Sequence, residues 1–248
     1  MNHRIINDDC LGWLRHEQEY YTCILADPPD NIGLNYGEGA AADRRATDEY
    51  VSWLGTCLDL FIHRASIVWV SYNAKWQFHI GKIVLRLLQK YHCHRAKSCI
   101  QVFTFGQHNQ HDLGNCFRPL LRFKHDDAPL YPDQIRVPSR RQERGDKRAD
   151  PRGRVPNDVF DFPRVTGNSK QRRSWCPTQL HEGLVERGIK LSTKEGDTVL
   201  DPFAGTGTTL RVCKRINRNC ILIEQNPEYC NHIAREHELE VECHTQNT

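Results

Sequence analysis

No run of apolar residues in this 248-residue chain approaches the roughly 18 that a membrane-spanning helix needs, and Met1-Asn2-His3-Arg4 does not lead into the apolar core of a secretory signal. The expectation is a soluble protein of the cytoplasm. A disulfide framework is missing too: the 11 cysteines are scattered singly, an odd number that points to reduced thiols. Cys93 and Cys99 lie among His92, His94, His108 and His111, yet there is no C-x-x-C or H-x-x-x-H pair, so no metal is expected. Internal repeats and low-complexity tracts are also absent, and the net charge is only +3. That excludes a polycation that coats nucleic acid with its whole surface, and leaves local charge to be considered.

What is present suffices for a core. Hydrophobic residues make up 38%, with 5 Trp, 8 Tyr and 9 Phe, in a length that suits one large domain or a domain with an insertion. Short apolar runs alternate with helix-period stretches. Residues 4–7, 21–26, 66–70 and 98–103 read as strands. Val51, Leu54, Leu58 and Ile62 mark a helix capped by Thr47, and Trp76, Ile80, Ile83, Leu87 and Tyr91 mark another. Such alternation argues an α/β fold, with a mostly parallel sheet and helices on both faces. Between 106 and 174 the rhythm dissolves: Pro129, Pro132, Pro138, Pro151, Pro156 and Pro163 break any long element, so this stretch reads as an insertion of loops and short strands. It resumes with Leu180, Leu184, Val185 and Ile189 on a helix and ends with a helix opening at Asn226-Pro227.

Residues 199–210 read Val-Leu-Asp-Pro-Phe-Ala-Gly-Thr-Gly-Thr-Thr-Leu. An apolar strand ends in Asp201, turns through Gly205 and Gly207, and becomes a helix, so the backbone can approach a ligand closely. The Lys-Ser/Thr of a phosphate-gripping loop is missing, because Thr208-Thr209 stands there, and Leu210 breaks the G-x-G-x-x-G of a dinucleotide turn. The next apolar run ends in Glu224, placed where an acid can accept hydrogen bonds from ribose hydroxyls. A ligand with a ribose and no pyrophosphate fits.

Asp-Pro-Phe-Ala-Gly-Thr-Gly-Thr-Thr followed by an acidic strand end closely resembles the S-adenosylmethionine site of the DNA amino-methyltransferases. Pro177-Thr178-Gln179 resembles a segment that opens the preceding helix in that family, and Asp27-Pro28-Pro29 resembles its Asp-Pro-Pro-aromatic catalytic motif, with Asn31 matching an Asn that often follows. The catalytic turn comes first and the cofactor turn last, which is the circularly permuted order of the family's beta class. The likeness spans most of the chain and is weakest within 106–174.

The resemblance implies a Rossmann-like methyltransferase fold with a catalytic half at 1–105, an inserted target-recognition region at 106–174 and a cofactor half at 175–248. It implies S-adenosylmethionine as cofactor, held by Asp9, Cys10, Thr178, Gln179, Asp201, Phe203, Ala204, Gly205, Thr206, Gly207, Thr208 and Glu224. From the residues alone, Asp9 equally reads as the cap of a helix carrying Leu11 and Leu14. DNA is the implied partner, and a homodimer and a restriction nuclease of the same system are compatible with it. Adenine N6 is the preferred target because an Asp begins the motif; cytosine N4 methylation and a catalytically silent DNA-binding protein are the alternatives.

The chemistry explains the motif. An exocyclic amine is a poor nucleophile because its lone pair is delocalised into the ring, so two acceptors aimed at its hydrogens help it attack. Asp27 can accept one hydrogen bond and the proton, and the Pro28 carbonyl, on a backbone stiffened by Pro28 and Pro29, can accept the other. At the fourth position Asp30 replaces the aromatic that stacks on a base turned out of the duplex, a contact worth ~1–3 kcal/mol. Either Tyr36 or another ring stacks instead, or Asp30 bonds the target or orients an arginine, or activity is lost.

Charge is concentrated between 136 and 173, where twelve basic residues face five acids. Arg140, Arg141, Arg144, Lys147, Arg148, Arg172 and Arg173, interleaved with Phe160, Phe162 and Trp175, suit phosphate and stacking contacts with DNA beside the methyl-transfer site.

Overall fold

The computed structural model describes residues 1–37, 43–103 and 110–243. His108 lies outside them. The strands are β1 (His3–Asn7), β2 (Tyr21–Ala26), β3 (Ala65–Ser71), β4 (His94–Val102), β5 (Phe117–His125), β6 (Val159–Asp161), β7 (Thr198–Asp201), β8 (Asn219–Glu224) and β9 (Val241–Cys243). They form one sheet in the order β6-β4-β5-β3-β2-β7-β8-β1-β9, in which β5 alone among the described strands runs against the others.

The helices are α1 (Cys10–His16), α2 (Thr47–Arg64), α3 (Gln77–Lys90), α4 (Arg140–Glu143), α5 (Glu182–Ser192), α6 (Thr208–Arg215) and α7 (Pro227–His237). Strand alternation sorts the core into two layers. Ile24, Val68, Leu200 and Ile223 pack with Leu54, Phe61 and Ile80 on one face, while Cys23, Leu25, Trp69, Val199 and Leu222 pack with Val185, Ile189, Leu210 and Ile233 on the other. None of the helices among the described residues is long and apolar enough to cross a membrane.

Strand order decides where a site can form. From β2 the chain crosses through α2 to β3 on one side, and from β7 it crosses through α6 to β8 on the other, while β2 and β7 are hydrogen-bonded neighbours. The sheet therefore changes winding direction between β2 and β7, and a crevice opens beyond their carboxyl ends. Both acidic turns, after Ala26 and at Asp201, are delivered to it.

Several expectations need correction. The stretch 106–174 is more than loops and short strands: β5, nine residues long, is paired on both sides within the sheet, and β6 pairs with β4. Pro119 disguises β5, since proline is rare inside a central strand. Its carbonyl accepts from the Tyr72 N–H, so its missing N–H faces the side where pairing with β3 has ended at Ser71 and Leu120. Ala46, not Thr47, precedes α2, and the Glu49 side chain accepts from the Ala46 N–H instead. Pro177-Thr178-Gln179 lies in the loop before α5 rather than opening it.

Phe160 and Phe162 do not offer rings to DNA. Phe160 is buried against Trp69, Phe162 stacks on His181, and the Arg187 guanidinium lies over both. Trp175 is stacked on His232.

Candidate functional site

The turn after β7 is built by its own hydrogen bonds. Asp201 accepts from the Phe203 N–H at 3.0 Å and from the Thr209 hydroxyl at 2.5 Å, which ties the strand end to the first turn of α6. Gly205 and Gly207 take φ of +50° and +72°, the left-handed region that side chains disfavour. Glu224, at the end of β8, accepts from the Gly205 N–H through one oxygen and from the Asn226 N–H through the other, both at 2.8 Å. Asn226 in turn caps α7.

These residues wall an open cleft. Of the twelve residues expected to hold the cofactor, eleven line it: Asp9, Cys10, Thr178, Gln179, Asp201, Phe203, Ala204, Gly205, Thr206, Thr208 and Glu224. Gly207 stands behind the wall, where an added Cβ would lie 3.1 Å from the Ile233 side chain. Asp9 is also a helix cap, accepting from the N–H groups of Leu11 and Gly12, so the two readings of it are compatible. Asp27 and Pro29 close the same cleft from the β2 side, and Tyr36 and Trp53 add rings.

The catalytic-motif turn is pinned through its backbone. The Tyr50 hydroxyl donates to the Pro29 carbonyl and the Trp76 indole to the Asp30 carbonyl, whereas the Pro28 carbonyl accepts no bond among the described residues. Asn31, at φ +54°, exchanges hydrogen bonds with the Arg45 backbone, and the buried Asp43 carboxylate accepts the N–H groups of residues 31–34. The Asp30 side chain is buried against Arg118, from β5, which also reaches Asp27. Arg118 and Asp43 carry no sequence motif, and Arg118 sits in the stretch read as an insertion.

Burial raises both cofactor-side carboxyls. Asp201 is pushed up to about 7 against the opposing bonds from Thr209 and Phe203, and Glu224 to about 7 against those from Asn226 and Gly205. For Glu224 the ordinary value is 4.5, so between about 4.5 and about 7 the folded chain holds more protons at this group than the unfolded chain. Its contribution to stability therefore declines as pH rises through that window. In urea melts, wild-type stability measured against Glu224→Gln is expected to fall from pH 5 to pH 7.5, roughly the window of that linkage. A pH-independent difference would refute the protonated state.

Of the expected DNA-binding residues, Arg140, Arg141, Arg144, Lys147 and Arg148 do not line the cleft. β5 starts at the cleft edge and carries the chain away by about 30 Å, at ~3.3 Å per residue. The loop holding this cluster closes at a bridge between Val137 and Arg154, and its stem is fastened by Gln134 to Thr193 and Arg218, near the start of β7 and β8. Arg172 and Arg173 return to the cleft edge but hold the Pro-Thr-Gln loop: Arg172 donates to the Cys176 carbonyl, and Arg173 donates through its backbone to Gln179 and through its side chain to Glu236.

A family model for DNA methylases matches residues 21–236. The chain belongs to the DNA methylase family. The Type II methyltransferase M.HpaI of Haemophilus parainfluenzae is 32% identical over 243 residues, covering 92% of this DNA methylase and 72% of the relative. The DNA adenine methyltransferase YhdJ of Escherichia coli K12 is 30% identical over 241 residues, covering 91% and 79%. The fold is shared with the solved PvuII DNA methyltransferase, described as cytosine-N4-specific, at a TM-score of 0.70 and 14% identity over 100% of this chain and 88% of that one. As a DNA methylase the chain is an S-adenosylmethionine-dependent enzyme of exocyclic amino groups, and the family spans both adenine N6 and cytosine N4.

Proposed function

We propose that the chain methylates adenine N6 at a specific DNA sequence, with Asp27 and the Pro28 carbonyl acting on the amine and the cleft between β2 and β7 holding S-adenosylmethionine. The supporting observation is that Asp27 opens into the same cleft as Asp201, Gly205 and Glu224. The donor set suits the cofactor: Glu224, fixed by the Gly205 and Asn226 N–H groups through different oxygens, lines the cleft where it would meet a ribose hydroxyl. Bound there, the cofactor supplies a methyl group on a positively charged sulfur, which departs as a neutral thioether. Asp27 accepts one amine N–H and takes the proton released when nitrogen is alkylated, and the Pro28 carbonyl steadies the other N–H. Tyr36 or Trp53, both of which line the cleft, supplies the ring to meet the base.

Nucleoside analysis and sequencing of DNA from cells expressing the chain tests this reading. N6-methyladenine in one sequence context is the expected product; N4-methylcytosine would reassign the base, and unmodified DNA would refute the function. Pairing with a restriction nuclease and assembly as a homodimer belong to the same proposal.

For DNA binding, the cations on the cleft side take precedence over the distant cluster. Arg44 and Lys75 are exposed around an open hollow beside the catalytic turn, and Arg164 and Lys170 follow β6 at the same edge. Arg44→Ala with Lys75→Ala is expected to weaken DNA binding and flatten its salt dependence by roughly one unit of slope for each phosphate no longer neutralised. Alanine at Arg140, Arg141 and Arg144 should leave both unchanged; the opposite pattern in fluorescence anisotropy would return target reading to the distant loop.

A further inference from the structure

Arg118 is held by three side chains, one at the end of β3 and two in the turn after β2. Its Nε donates to the Ser71 hydroxyl at 2.5 Å, Nη1 to Asp30 Oδ2 at 2.7 Å, and Nη2 to both Asp30 Oδ1 at 3.0 Å and Asp27 Oδ1 at 2.7 Å. The two-pronged bond goes to Asp30, whose side chain is 7% exposed, and the single bond to Asp27, which is 20% exposed. Asp30 is thus the anchor and Asp27 the group left facing the cleft.

We propose that Asp30 and Arg118 form a positioning clamp, fixing the rotation of the Asp27 carboxylate and balancing its charge so that it meets the target amine in one orientation. This rests on the methyl-transfer role proposed for Asp27. A carboxylate tied through one oxygen to a rigid guanidinium cannot turn freely, and a guanidinium gripped by a second carboxylate cannot swing away. Without the arginine, two acids three residues apart in a partly buried turn would repel each other. An aromatic ring at position 30 could not accept these bonds, so the clamp accounts for the departure from the Asp-Pro-Pro-aromatic pattern.

The environment of Asp27 makes the clamp readable by titration. Burial raises its carboxyl, Arg118 opposes that, and Asp30 adds to it, with Ser71 on the opposing side. Asp201, Tyr36 and Cys176 also face Asp27 electrostatically, from β7, the loop after the turn and the loop before α5. Arg118 itself is held more firmly protonated: burial works against its charge, but the two acids prevail.

The test is single-turnover methyl transfer from labelled S-adenosylmethionine to unmethylated DNA by the full chain, at saturating cofactor and across pH. Asp30→Asn is expected to slow the transfer step ~10- to 100-fold through misplacement of Asp27, with cofactor and DNA affinity within about twofold. Its acid limb should move down, because a charge that raised Asp27 is gone. Arg118→Met should move that limb up, and Arg118→Lys should lose rate without the upward move, since it keeps the charge but not the fork. If Arg118→Met does not fold, Asp30→Asn and Arg118→Lys decide the matter. Full rate in Asp30→Asn, limbs moving the same way in Asp30→Asn and Arg118→Met, or a faster Asp30→Tyr would overturn the clamp and leave the methyl-transfer reading standing. No transfer by the wild type would overturn both.

Discussion

Asp27→Ala is expected to lower the rate of methyl transfer by ~10²- to 10⁴-fold, the range for loss of a positioned general base, while cofactor affinity stays within about twofold. The separation follows from geometry. Asp27 follows β2, while the main ties of the cofactor side run among Asp201, Thr209, Gly205, Glu224 and Asn226, none of which hydrogen-bonds Asp27. Removing the carboxylate leaves Arg118 its two bonds to Asp30, so the turn keeps its anchor. Calorimetric titration with S-adenosylmethionine alongside the transfer assay reads the two quantities apart. Equal loss of both would make Asp27 structural.

Gly205→Leu should abolish cofactor binding and leave the fold in place. A Cβ at this position meets nothing closer than the Cys176 sulfur at 3.7 Å and the Phe203 carbonyl at 3.8 Å, so the protein accommodates it at the cost of backbone strain of about 1–2 kcal/mol. The rest of the side chain then projects into the cleft. Gly207 is the control, because its Cβ would press on Ile233 in the core, and substitution there should lower the melting temperature as well. Normal titration of Gly205→Leu with one cofactor per chain would move the binding site elsewhere.

These expectations draw unequally on sequence and structure. The short apolar runs at 21–26 and 198–201, the Asp9 cap and the Asn226-Pro227 helix start are local signals, set by composition and by bonds a few residues apart, and they were legible. That Asp30 could orient an arginine was legible, but not that the arginine is Arg118, because it lies 88 and 91 residues from Asp30 and Asp27 in the chain and nothing local marks it as their partner. Pro119 and the bases Arg118, Arg122 and Lys124 gave β5 the composition of a loop. The basic cluster at 136–154 was visible as charge, but composition carries no information about which edge of a sheet a loop hangs from.

The place of β5 also limits how target preference could be exchanged between relatives. A recognition segment cut at 106 and 174 would take with it the strand between β3 and β4, expose two unpaired edges, and remove Arg118 from Asp27. A functional transplant would have to leave 117–125 in place and join the foreign sequence beyond it, so that catalytic posture is inherited with the host and only the cleft-edge and distal loops are traded.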